Sequence, residues 1–155
     1  MYNWILGLHS LLRWVIVIVL IINIARTVLN NEKPFSQFDK NWNLRLLIFA
    51  HLNFLIGLYN YFFGGKGFAY INELGFGAVM KDKVMRFWAV EHFVGMLVFV
   101  VLVTLSRRVT KNTTLDDVAK HKKLMWFYII SFVVLFASIP WPFRFAEVPW
   151  FRPLS

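Results

Sequence analysis

The chain has 155 residues, no cysteine and a formal net charge of +9. Hydrophobic residues make up 59% and charged residues 16%, against about 45–50% and about 25% in soluble domains. These values, with a mean hydropathy of +0.58, exclude a disordered chain and argue against a soluble globular domain; the absence of cysteine excludes disulfides, thiolate-bound zinc, iron–sulfur clusters and thioether-attached haem.

Four apolar runs follow in chain order. Trp4 to Ala25 carries one charge, Arg13; Leu46 to Phe63 carries none; Phe87 to Ser106 carries only Glu91; Leu124 to Phe143 carries none. Each is 18–22 residues, the length of a spanning helix. The runs do not alternate as barrel strands do, and a continuous apolar run in lipid must be helical to satisfy its own backbone. The first run lacks a small-residue cleavage site and a basic stretch before it, and reads as a retained helix. The expected fold is an all-α membrane protein: one domain over 1–155, an up-down bundle with spans at about 4–26, 45–63, 86–107 and 121–142.

The connections are short. Gly64 to Met85 is the longest and is rich in glycine. Thr114, followed by Asp116 and Asp117, predicts that the last helix starts near residue 115 with acids in its first turn. Pro140 and Pro142 end it. The first and third connections with adjoining helix ends hold ten Lys and Arg residues, and the opposite side holds seven. That bias predicts both termini outside the cytoplasm. The basic residues lie at the ends of the runs and form no single stripe, so nucleic acid is not an expected partner.

Four histidines, His9, His51, His92 and His121, each fall in or at a different helix. Ionisable groups in a membrane segment are expensive and point to function. His9 lies 17 residues before Arg26, and His92 lies 15 before Arg107. At about 1.5 Å per residue their depths agree within about 3 Å. His51 lies six residues after Arg45, roughly 9 Å in, and His121 sits in the basic segment Lys120–Lys123. Two layers of paired imidazoles result, His9 with His92 and His51 with His121. A b-type haem needs two imidazoles on facing helices, so the pattern predicts two haems, or one. The competing reading makes these histidines hydrogen-bonded packing or interfacial residues. Arg13, one helical turn after His9, suits a haem propionate, or is an ordinary interfacial arginine. Gly95 and Gly57 let a flat macrocycle, or another helix, approach closely. Glu91 could orient a ligand, relay a proton to a quinone, or pair with Arg86.

The segments Gly7 to Trp14, Val90 to Met96, Ala119 to Lys123 and Ile139 to Arg144 resemble a group of short bacterial membrane proteins labelled cytochrome b. One histidine per helix is also similar to the four-helix cores of larger dihaem cytochromes b. The resemblance implies axial ligation by His9 and His92 for one haem and by His51 and His121 for the other. It implies electron transfer linked to a quinone or a redox partner protein in a bacterial inner membrane, with both termini periplasmic; the length of 155 residues leaves room for a homodimer or a place in a larger complex. The alternative is a haem-free membrane subunit that anchors or assembles a larger complex. A copper-handling protein ranks lower, because Met1, Met80, Met85, Met96 and Met125 form no spaced thioether motif.

Overall fold

A computed structural model describes residues 2–153; Met1, among the methionines weighed as copper ligands, lies outside them. Four helices are long and apolar enough to cross a bilayer. They are α1 (Tyr2–Leu29), α2 (Gln37–Phe63), α6 (His92–Lys111) and α7 (Asp117–Ser138). Three short helices, α3 (Phe68–Leu74), α4 (Phe76–Lys81) and α5 (Lys83–Arg86), occupy the long glycine-rich connection. There is no strand among the described residues. The chain is an all-α, multi-pass membrane protein.

Local chemistry sets the helix ends. α2 starts eight residues before the expected 45, because Ser36 and Asp39 form a reciprocal capping box. Asp39 also accepts from Arg26 Nε at 2.9 Å, which ties the last turn of α1 to the first of α2. α7 is capped by Asp116, whose carboxylate accepts from Ala119 N at 2.7 Å. Thr114 is instead held by Asn112 Oδ1. α7 stops at Ser138, short of the expected 142: Pro140 lacks an N–H, and Ile139 before it is pushed to extended backbone. Gly67 and Gly75, with φ of 74° and 79°, make the turns that open α3 and α4. The third span is continuous from Lys83 to Lys111, through a π-helical turn at Phe87–Glu91.

α1 packs on α2 and α7, and α6 packs on the same two helices. The helices therefore follow the chain around a square, with α1 facing α6 and α2 facing α7 across the diagonals. Large apolar side chains such as Ile18, Leu55, Val101 and Val133 point outward and are exposed, as lipid-facing residues must be.

The two halves of the bundle differ. Near the α1–α2 and α6–α7 connections, Leu20, Leu46, Val103 and Leu124 are fully buried. Among them Asn43 Nδ2 donates to Ser106 Oγ at 2.8 Å and to Tyr128 Oη at 2.9 Å, joining α2, α6 and α7. In an apolar surround such a network is costly to break in part. Asn43→Ala is expected to destabilise the bundle by about 1–2 kcal/mol; thermal unfolding in detergent measures this, and an unchanged midpoint would show that the network contributes nothing.

Candidate functional site: a histidine-lined cavity in the open half

The other half of the bundle holds a cavity of about 520 Å³, bounded by α1, α2, the third span and the segment after α7. His9 and His92 both line it. Their ring centroids are 6.4 Å apart, with the planes at 74°. The structure thus brings together the residues on facing helices that the depth arithmetic paired.

Each ring is seated differently. His92 Nδ1 lies 2.7 Å from the Ser138 carbonyl oxygen. A carbonyl only accepts, so Nδ1 carries the proton and Nε2 keeps its lone pair. Phe87 and Trp88 flank the same ring at 5.9 and 6.0 Å. The π-helical turn ends just before His92, whose backbone N–H reaches back five residues to the Phe87 carbonyl. Tyr61 Oη donates to Ala89 O within that turn at 2.9 Å. π turns occur often at functional sites; here one sits directly before a site histidine. His9 rests on Gly57, where an added Cβ would lie 3.2 Å from His9 Cε1. Its Nδ1 is buried and has no hydrogen-bond partner.

The cavity wall is mostly apolar but carries several polar side chains. Buried atoms without partners include His9 Nδ1, Arg13 Nε, Asn53 Oδ1, both amide atoms of Asn60, and Trp88 Nε1, and all five residues line the cavity. Buried polar atoms are normally paired; these six unpaired atoms surround one space, while others, among them Asn43 Oδ1 and both His121 ring nitrogens, lie in the packed half. Arg13 is fixed by Nη2, which donates to Trp150 O at 2.7 Å and to Ser10 Oγ at 3.4 Å. Trp14 Nε1 donates to the same carbonyl at 3.0 Å. These bonds fold the segment after α7 back over the end of the bundle. Arg152 from that segment is a second cation on the cavity wall.

The remaining expected residues lie elsewhere. Gly95 is not on the cavity wall; it faces Ser138, where an added Cβ would overlap the Ser138 hydroxyl and lie 2.8 Å from its Cβ. Its role is helix packing. Glu91 forms an ion pair with Arg86 at 2.7 Å, one of the three roles open to it, and is half exposed. The pairing of His51 with His121 is not formed. His51 Nδ1 donates to its own helix at Leu47 O, 2.8 Å away, and Thr104 Oγ1 of α6 lies 3.4 Å from Nε2. His121 is fully buried against Phe35, edge to face at 5.2 Å. The packed residues around Asn43 fill the half of the bundle where a second site was expected. No group of three or more His, Cys, Asp or Glu placed to hold a bare metal ion occurs among the described residues.

Sequence reasoning missed Ser138, Asn53, Asn60 and Arg152. The two asparagines had a signal, since amides in an otherwise apolar span are expensive there. The Ser138 carbonyl had none, because its role depends on how α6 and α7 meet. Comparison with protein-family models, with curated proteins and with solved structures returns no match.

Gly95→Ala is expected to cost about 1–3 kcal/mol by overpacking the α6–α7 contact. Ser138→Gly in the same chain removes the obstructing atoms and should restore most of the loss. A double-mutant cycle by thermal unfolding checks this; additive effects would contradict the close approach.

Proposed function

We propose that the chain binds one b-type haem with His9 and His92 as axial ligands and carries electrons in the membrane, exchanging them with a quinone or a redox partner protein. The observation that carries the reading is that two imidazoles from facing helices line one cavity, with their ring centroids 6.4 Å apart. If a haem were bound, His9 and His92 would hold its iron from the two facing helices.

When bound, a haem supplies a one-electron couple whose potential follows its axial ligands and the polarity around it. The chain's own residues do the rest. Ser138 fixes the His92 tautomer and orientation, as partners of metal-ligating histidines do. Gly57 leaves room for the His9 ring. Arg13 and Arg152 supply positive charge at the cavity wall, suited to the carboxylates of a porphyrin. The segment over the mouth, with Trp14 stacked on Phe151 at 5.2 Å, limits water and so lowers the local dielectric. The excess of basic residues at the α1–α2 and α6–α7 end supports that end facing the cytoplasm of a bacterial inner membrane.

The test is a reduced-minus-oxidised absorption spectrum of protein made with ample haem, with pyridine haemochrome quantification. One haem b per chain is expected. His9→Ala and His92→Ala should each abolish it, while His51→Ala and His121→Ala retain it. A flat wild-type spectrum overturns the reading in favour of a haem-free membrane subunit. Two haems per chain would restore the His51–His121 pair.

A further inference from the structure

The opposite end of the bundle carries a second cavity, of about 210 Å³, unrelated to the histidine pair. It lies where α2 begins, α6 ends and α7 begins. Lys40, Arg107, Lys111 and Lys120 line it, with Thr110, Asn112 and Thr113. No carboxylate lines it, and none of its four cations forms an ion pair among the described residues. Asp116 and Asp117 stand on the same connection but do not reach its wall.

Four like charges around one small space repel one another, and a bound anion would relieve that repulsion. The arrangement is also held in place. Arg107 Nη1 donates to Lys40 O at 2.8 Å and to Thr110 Oγ1 at 3.4 Å, while Thr110 is buried and donates back to Arg107 O at 2.8 Å. One nitrogen of the guanidinium thus joins α6 to the start of α2, and the others make no protein hydrogen bond among the described residues. A planar guanidinium with free N–H groups suits a phosphate, and lysine ammonium groups beside it add point charge. The volume is many times that needed for a single water. The site also lies at the ends of spanning helices, and basic pockets between spanning helices bind anionic headgroups near the membrane surface.

We infer that this cavity is a phosphate site at the membrane surface, filled by the phosphate of an anionic phospholipid or by free phosphate from water. It is independent of the haem reading.

The full-length chain, purified in uncharged detergent, is titrated with phosphatidylglycerol, phosphatidylcholine and inorganic phosphate, with retention read by native mass spectrometry. Phosphatidylglycerol or inorganic phosphate should bind in preference to phosphatidylcholine. Lys111→Gln with Lys120→Gln should weaken that binding about tenfold or more. Neither side chain makes a protein hydrogen bond among the described residues, so the fold should survive, as circular dichroism would verify. Lys122→Gln with Lys123→Gln removes the same charge outside the cavity and should leave binding unchanged. Phosphatidylglycerol retained against millimolar phosphate identifies the headgroup as the source; phosphate bound alone, with the same loss in the cavity variant, identifies the free ion. Equal loss in both double variants, no loss in the cavity variant, or no preference over phosphatidylcholine overturns the proposal.

Discussion

The hydrogen bond from His92 Nδ1 to the Ser138 carbonyl, 2.7 Å long, is the interaction on which the open half of the bundle turns. It is possible only because Gly95 has no side chain, so that α6 and α7 can approach at Ser138. Pro140 adds a second condition. α7 ends at Ser138, and a helix end leaves carbonyls without intrahelical partners. The Ser138 carbonyl therefore satisfies two needs at once: its own, as a helix-end acceptor in an apolar surround, and that of the imidazole N–H. The π-helical turn before His92, held by Tyr61, bears on the same ring from the other side in the sequence.

The contrast between the two halves has a physical basis in what fills them. Around Asn43, Ser106 and Tyr128 the polar groups bond to one another across three helices, and fully buried leucines and valine close the space. Around His9 and His92 the polar groups point at a cavity and not at one another. Asn53 and Asn60 are the clearest cases, because an amide in a spanning helix has strong reason to find a partner in a neighbouring helix. The packed end also has unpaired atoms, among them Asn43 Oδ1 and both His121 ring nitrogens; the open end differs in that its unpaired groups share one cavity.

Much of this was legible in the sequence. The apolar runs set the fold class, because a bilayer allows few alternatives to helices of that length. The depth match of His9 and His92 needed only the rise per residue and an up-down topology, and both hold. The match of His51 and His121 was looser, and the side chains separated: His51 closes on its own helix through Leu47, while His121 turns to Phe35. Depth in the membrane is a one-dimensional quantity. It does not say which way around the helix a side chain points, and that rotation separates the pair formed from the pair not formed. Gly95 illustrates the same limit, since a glycine three residues after His92 serves a neighbouring helix and not the cavity. Capping chemistry, by contrast, was present in the letters: Ser36 and Asp39 have the spacing of a capping box and set the true start of α2.

The segment after α7 completes the logic of the open half. Arg13 is a buried cation in a spanning helix, and such a group needs partners or a water-filled space. Its contact with the Trp150 carbonyl supplies one neutral acceptor, which orients the guanidinium without cancelling its charge. No carboxylate forms an ion pair with it among the described residues. A positive charge held in position but left uncompensated, on the wall of a cavity that also holds two facing imidazoles, favours an anionic group entering from that side. Trp14, Trp141 and Phe151 pack over the same corner, so the charge is screened from bulk water as well as from acids.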